Sequence, residues 1–408
     1  MEKTPKSMRL HIAILGAVNA GKSSFLNLVS GQDISIVSDT KGTTTDVVEK
    51  TQELLPIGPV VWLDTAGFGD DTALSASRLE KTFKVLDKAD IAVLVSAGKE
   101  TADYDKQIST EIKKRNIPMI LVRNKADLYH YEPQDGTIDV CSLDKSSRDK
   151  VILAFKRELI KICPDDFINT PTIFGDLVPD GGTTVLLVPI DKEAPKGRLI
   201  LPQAQTIRDG LDHNQTMLVM QEQNFDGALK NLKQKPDLII CDSQIVDFMV
   251  EHTPSDIKCT TFSILFGRLK GDLHKFVEGA TAISKLKDGD KVLIAESCTH
   301  HAVEDDIGHV KIPRWLKQKT GADLQISYVA GCDFPQDLSS YKLVIQCGGC
   351  MLNRRQILHR INLCESAGVP ITNYGICISE LKGVLPRVLE PFEQIRANYD
   401  RNKEKNNL

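Results

Sequence analysis

Apolar residues recur along this chain in two periods. Short unbroken apolar runs at 9–15, 59–63, 91–95 and 118–122 read as buried strands. Stretches with helical spacing at 22–30, 76–88, 103–115 and 146–162 lie between or after them. Strands alternating with amphipathic helices predict a mostly parallel sheet covered on both faces. Cys163-Pro164-Asp165-Asp166 reads as the stop that closes this first domain, set at residues 1–168.

The rhythm continues in two smaller segments. The middle one, 169–260, opens on the turn Pro179-Asp180-Gly181-Gly182 and holds apolar runs at 183–189, 216–220 and 237–241. The last, 261–408, has strands expected at 291–295, 324–329 and 342–346 and helices at 311–319 and 353–367. The polar final residues, 399–408, read as frayed. The fold class expected is therefore α/β, in three domains, with no internal repeat.

Composition narrows the picture modestly. The chain has 408 residues, 41% hydrophobic and 26% charged, with a formal net charge of −4. That mild acidity argues against a general nucleic-acid binder, which carries a basic excess. No apolar run approaches the ~18 residues of a membrane span, and the run Ile12 to Leu15 is too short for a signal peptide. A cytoplasmic protein is expected. In that reducing compartment closely spaced members of the ten cysteines point to metal or redox chemistry before disulfides.

Candidate chemistry begins directly after the first strand. Gly16-Ala17-Val18-Asn19-Ala20-Gly21-Lys22-Ser23 fits GxxxxGK[ST] between a strand and a helix. Glycines at that bend let the backbone N–H groups around Asn19, Ala20 and Gly21 point at the α- and β-phosphates of a nucleotide, with the helix N-terminus through Ser24 assisting. Lys22 would bridge the β- and γ-phosphates and Ser23 would ligate magnesium. Asp64-Thr65-Ala66-Gly67 follows the strand ending at Leu63; Asp64 can hold magnesium through water and the Gly67 N–H can sense the γ-phosphate. Asn124-Lys125-Ala126-Asp127 matches the guanine-reading NKxD pattern. Asp127 would accept from guanine N1–H and N2–H, Asn124 would brace the phosphate loop, and Lys125 would cover the base. In this order, after successive strands, these strings read as a P-loop GTPase binding GTP or GDP with Mg2+.

Residues 9–165 resemble the Era-like branch of GTPases, which includes the tRNA-modifying enzymes. Gly42-Thr43-Thr44-Thr45-Asp46 is similar to that branch's first switch, and the resemblance maps the threonine that completes the magnesium shell to Thr44. Asn19 stands where potassium-activated members carry an asparagine, which implies K+ stimulation. Phe68 follows Gly67, so no water-orienting glutamine stands there, while Asp70 and Asp71 lie in the second switch. Lys22, Asn19, Thr44 and Gly67 are accordingly the residues expected to serve hydrolysis, with slow intrinsic turnover. The base-closing loop falls at Cys141-Ser142, where the branch more often reads Ser-Ala.

A second constellation lies far downstream. Cys347-Gly348-Gly349-Cys350 follows the expected strand Leu343 to Gln346, and Cys298-Thr299-His300 lies just beyond Lys291 to Ala295. In a parallel sheet both loops would emerge at the C-terminal strand edges, where crevices form. Three cysteines and a histidine fit a structural zinc site. They also fit an iron–sulfur cluster on three thiolates with a replaceable fourth ligand. A CxxC redox pair and unliganded thiols are the other readings, and spacing leaves all four open.

A GTPase head joined to a middle α/β segment and a tail with C-x-H followed by CxxC resembles the maturation GTPase of di-iron (FeFe) hydrogenases, over essentially the whole chain. The resemblance implies a 4Fe-4S cluster on Cys298, Cys347 and Cys350. It also implies a homodimer, with its dimer surface in the middle segment. Such a protein accepts a transient two-iron precursor from radical-SAM maturases and delivers it to apo FeFe hydrogenase. Many members carry histidine immediately before the CxxC, whereas this chain has Gln346. His300, water, or a carboxylate of Glu304, Asp305 or Asp306 is then the candidate fourth ligand. The competing class is a regulatory RNA- or ribosome-associated GTPase with a structural zinc tail. It would need a basic, aromatic-bearing surface that the composition does not show.

The remaining cysteines, Cys141, Cys163, Cys241, Cys259, Cys332, Cys364 and Cys377, read as small core or surface residues. His301 and His309 read as solvent-facing and His11 as structural. The lysines around 311–319 and the pair Lys403 and Lys405 read as solvated faces.

Overall fold

Strand β1, Leu10–Leu15, is buried along its whole length between two parallel neighbours. These are β3, Gly58–Asp64, and β4, Ile91–Ser96. The computed structural model describes residues 5–30, 48–65, 82–98, 103–168, 171–190, 199–297, 306–331 and 333–406. The chain divides into two compact units, Met1–Thr170 and Pro171–Leu408.

The first unit is built on a six-stranded sheet in the order β2-β3-β1-β4-β5-β6, where β2 is Val48–Leu54, β5 Met119–Asn124 and β6 Thr137–Val140. Every pairing is parallel except β2 with β3. Runs of Val, Ile and Leu make the central strands because parallel strands are covered on both faces. One cover packs Phe25 and Phe155 against Trp62, with Trp62 and Phe155 ring centroids 5.8 Å apart. The other is built from Val85, Leu86, Ile108 and Ile112. Helices Lys22–Ser30, Asp103–Lys114 and Arg148–Ile162 supply these faces. The expected helix at 76–88 is seen over 82–86, the rest lying outside the described residues.

Two strands of this sheet escape the apolar pattern. β2 reads VEKTQEL, polar because it is an edge strand, and it is fixed by Trp62 Nε1–H donating to Gln52 Oε1 at 2.8 Å. β6 is four residues long, too short to show a period.

The second unit holds two four-stranded sheets. One has the order β10-β9-β7-β8, from Thr183–Leu187 (β7), Thr216–Met220 (β8), Leu238–Cys241 (β9) and Lys258–Thr261 (β10). The Pro179-Asp180-Gly181-Gly182 turn leads into it, with the Gly182 N–H donating to the Pro179 carbonyl at 2.9 Å and Gly181 at φ 72°. The other has the order β12-β11-β13-β14, from Lys291–Ala295 (β11), Gln325–Val329 (β12), Leu343–Gln346 (β13) and Ile371–Asn373 (β14). All pairings in both sheets are parallel. The helix Phe262–Lys270, N-capped by Thr261, follows β10 without a loop.

The chain end corrects the expectation of fraying as far as Asn406, the last described residue. A helix runs over Glu393–Asn406 and packs on Leu273–Ala280. Tyr399 anchors it, 1% exposed, with its hydroxyl donating to the buried Glu380 carboxylate. Lys403 then donates to the Tyr399 hydroxyl at 2.8 Å. One aromatic among polar residues carries this packing, and a periodicity argument does not see it.

Candidate functional site

The bend after β1 sits at the point where the sheet order turns from β3 to β4, the crevice at which parallel sheets bind ligands. The glycines there are required by contact. Gly16 has φ 141°, and a Cβ on it would lie 2.0 Å from the Val95 carbonyl oxygen. Gly21 has φ 91°, and its Cβ would lie 2.0 Å from Asn124 Nδ2. Asn19 adopts the left-handed conformation at φ 60°, which asparagine tolerates, and is exposed. Ala20 is buried behind it, and Ser23 and Ser24 open the helix Lys22–Ser30 half-buried.

Lys22 is buried against this bend, its ammonium donating to the Gly16 and Ala17 carbonyls at 2.9 Å each. Burial lowers its pKa to about 8, against the opposing charges of Asp64 and Asp105. Asp105 was not among the sequence candidates. It is buried on the helix Asp103–Lys114, and its Oδ1 accepts the Ala17 N–H at 3.2 Å. Its charge pattern is that of a solvated helix face, and only the fold brings it to the bend. Burial raises its carboxyl pKa, opposed by the Ala17 bond and by Lys22.

Asn124, at the end of β5, joins three loops. Its Nδ2–H donates to the Ala20 carbonyl at 2.8 Å, and its Oδ1 accepts from the Ser142 N–H at 3.1 Å and hydroxyl at 2.9 Å. Tyr131 donates to the Asn124 carbonyl at 2.6 Å. Lys125 follows in the left-handed region at φ 60°, and Asp127 is exposed one turn on. Cys141 is half-buried beside Ser142. Asp64 is buried at the end of β3, and the next residue, Thr65, donates its hydroxyl to the Ile14 carbonyl at 2.7 Å. The fold thus gathers Gly16 to Ser24, Asp64, Asn124 to Asp127 and Cys141-Ser142 at one sheet edge. Thr44 with its switch motif, Gly67, Phe68, Asp70 and Asp71 lie outside the described residues.

The CxxC loop meets Ser297 at an edge of the second unit. β11 and β13 pair in parallel with Ala295 opposite Gln346, and the Cys347 N–H donates to the Ala295 carbonyl at 2.9 Å. Cys347 Sγ accepts N–H bonds from Ser297 at 3.1 Å and Gly349 at 3.5 Å, and lies 2.8 Å from the Ser297 hydroxyl. Two backbone N–H groups from different loops thus converge on one sulfur. Cys350 is exposed at the other end of the same loop. Cys298, the residue after Ser297 in the chain, lies outside the described residues. So do His300, His301, Glu304, Asp305 and Cys332.

Gln346, where many relatives of the resemblance carry histidine, is buried and turned inward. Its Nε2 donates to the Cys347 carbonyl at 3.3 Å and approaches the Cys347 sulfur at 3.6 Å. Its Oε1 accepts from Arg360 at 2.6 Å, and the Arg360 guanidinium lies over the Phe334 ring at 4.8 Å. Lys270 is buried beside the loop; burial lowers its pKa, opposed by Cys350 and Cys347. Neither cation belongs to a motif, and only the fold reveals them.

A carboxylate–imidazole group lies close by. Glu296, Asp306 and His309 bring ligand atoms within 4.8 Å of one another. Internal bonds account for it: Tyr374 donates to Glu296 at 3.0 Å, Asp306 N-caps the turn through the His309 N–H at 2.7 Å, and His309 stacks on Tyr328. Cys163, Cys241, Cys259, Cys364 and Cys377 are buried core residues, as read from the sequence. No helix among the described residues is long and apolar enough to cross a membrane.

Comparison with known proteins agrees with this division. Residues 11–125 match the model of the 50S ribosome-binding GTPase family. The chain is 39% identical over 132 residues to GTPase Der of Wolinella succinogenes, covering 31% of this chain and 27% of that protein. It is 38% identical over 122 residues to the tRNA modification GTPase MnmE of Bacteroides thetaiotaomicron, covering 29% and 26%. The chain therefore matches about a quarter of the length of these relatives. Among solved structures, Era in complex with MgGDPNP and a 16S ribosomal RNA segment aligns at 18% identity over 53% of this chain and 93% of that one. Its TM-score of 0.33 is too low to add to the argument.

The second unit matches two further models. Residues 173–271 match the hydrogen maturase F dimerization domain, and 274–391 the hydrogen maturase F tetramerization domain. Both models support an oligomer, and the second goes beyond the homodimer expected from the sequence. A P-loop GTPase domain followed by both of these domains places the chain in the hydrogen maturase F family of hydrogenase-maturation GTPases.

Proposed function

We propose that this chain is a GTP-hydrolysing scaffold that holds a 4Fe-4S cluster on Cys298, Cys347 and Cys350. On it the two-iron precursor would be assembled, or passed from radical-SAM maturases to apo FeFe hydrogenase. The observation that carries the reading is the environment of Cys347. A cysteine at a parallel-sheet edge, with two backbone N–H groups donating to its sulfur and the Ser297 hydroxyl 2.8 Å away, is held in place to act as a metal ligand. When bound, the cluster supplies an iron site with an exchangeable position, suited to bridging a second metal unit. The protein's share is to hold the thiolates and keep Gln346 and Arg360 behind them.

In the first unit Lys22 would reach the β- and γ-phosphates, and Ser23, Asp64 and Thr44 would hold Mg2+. The Gly67 N–H would sense the γ-phosphate, and Asp127 would read guanine under Lys125. Asn19 would contribute to a K+ site, making GTP turnover faster in potassium than in sodium salts, and with Phe68 in place of a water-orienting glutamine intrinsic turnover would be slow. The GTPase acts as a switch on domains or partners and leaves cluster chemistry to the tail. Residues 1–168, 169–260 and 261–408 serve as GTPase, dimerisation and cluster-binding segments in a cytoplasmic protein.

The two functions should separate. Cys347→Ser abolishes the cluster's visible absorption while GTP turnover stays within about twofold. Lys22→Ala or Asp127→Asn cuts GTP turnover or guanine binding by ~10-fold or more and leaves iron per chain unchanged. Equal loss of iron in the nucleotide-site variants would refute the modular reading.

A further inference from the structure

Lys270 is the last residue of the helix Phe262–Lys270 and is 2% exposed. Lysine is almost never fully buried unless its charge is met. Here the ammonium donates to the carbonyl oxygens of Gly349 at 3.1 Å, Cys350 at 3.4 Å and Leu352 at 3.2 Å. Carbonyl oxygens suit an ammonium group, which only donates. All three belong to the CxxC loop or its exit, about eighty residues further along the chain.

The contact is reciprocated. Arg354, on the helix that follows the loop, donates to the carbonyls of Leu269 at 2.9 Å and Gly271 at 3.1 Å, at the C-terminal end of the Lys270 helix. The Lys270 helix thus supplies a cation to the loop's carbonyls, and the helix after the loop supplies one to the end of the Lys270 helix. Lys270 lies in the segment matched by the dimerization model, and the cysteine loop in that matched by the tetramerization model.

We infer that Lys270 is a positioning residue for the CxxC loop, fixing its carbonyls and placing a buried positive charge beside the thiolates that hold the cluster. The inference rests on the cluster reading for its electrostatic half. Three thiolates on a 4Fe-4S core leave net negative charge, which grows on reduction. A cation held in a low-dielectric surround then favours the reduced form. The same contact holds Gly349, at φ 64°, in the turn between Cys347 and Cys350.

Two measurements on the full chain separate the halves. In the iron-free protein, hydrogen–deuterium exchange over the peptide holding residues 347–353 reads loop order without any cluster and without depending on thiol ionisation. Lys270→Met is expected to speed exchange there, including at the Leu352 N–H that donates to the Gly349 carbonyl, at least tenfold, and an unchanged rate would overturn the positioning role. In the reconstituted protein, an EPR-monitored redox titration reads the charge. Lys270→Met is expected to shift the reduction equilibrium at least tenfold toward the oxidised cluster, about 59 mV for one electron. An unchanged potential would overturn the electrostatic role.

If the parent chain binds no cluster, the cluster reading and the electrostatic role fail together, and hydrogen exchange alone decides the positioning role. Far-UV circular dichroism and the oligomeric state of the full chain serve as the folding controls. Should Lys270→Met fail to fold, Lys270→Arg keeps the charge on a planar fork that three carbonyls around a point do not match. Faster exchange over 347–353 with a retained potential then supports the inference. Rates equal to the parent's, or a potential shifted as if the charge were lost, overturn it.

Discussion

Asn124 donates its side-chain amide to the Ala20 carbonyl at 2.8 Å, across 104 residues of sequence, and its other face takes Ser142. The residue expected to brace the phosphate loop therefore also fixes the loop expected to close over the base. Gly21 is glycine because Asn124 occupies the place of its Cβ.

That relationship predicts coupling. Asn124→Ala leaves buried partners unmet and costs about 2–3 kcal/mol of stability, with at least a tenfold loss of GDP affinity. Gly21→Ala costs a similar amount through the clash and its left-handed φ. The double variant should be destabilised by less than the sum, because the clashing amide is gone while the φ strain remains. Urea denaturation of the four proteins checks this, and strict additivity would contradict it.

Lys22 predicts a pH dependence. Its pKa is lowered to about 8 by burial, from the ordinary 10.5. The charged form is thus disfavoured in the folded, nucleotide-free protein. That cost is full below about pH 8 and is relieved as pH rises from about 8 toward 10.5. Nucleotide phosphates restore the charge, so binding above pH 8 takes up a proton and GDP affinity falls as pH rises. Calorimetry in buffers of different ionisation enthalpy at pH 8.5 should show proton uptake that Lys22→Arg lacks.

The sequence displayed the frame of both units but not their braces. Strands such as Leu10–Leu15 and Leu343–Gln346 are legible because both faces are buried, leaving unbroken apolar runs with a motif at the end. The same reasoning correctly placed the CxxC loop beyond a strand edge. Val48–Leu54 was not legible, since an edge strand has little apolar surface to display. Asp105 and Lys270 were not legible for a different reason. Each looks like an ordinary charged residue on a helix, and only tertiary packing turns one to Ala17 and the other to the cysteine loop.

The terminal helix predicts a stability effect remote from either site. Tyr399→Phe removes the donor to the buried Glu380 carboxylate and should cost about 1–3 kcal/mol. Tyr399→Ala adds a cavity and should cost about 3–5 kcal/mol. Thermal melts of the isolated variants check the order, and GTP turnover should stay within about twofold in both.

The central claim is that the tail carries an iron–sulfur cluster under the control of a GTPase. The chain purified and reconstituted without oxygen should be brown. It should hold about four iron and about four sulfide per chain, with no stoichiometric zinc, and lose both in Cys347→Ser. A colourless protein with about one zinc per chain, or with no metal, would contradict it.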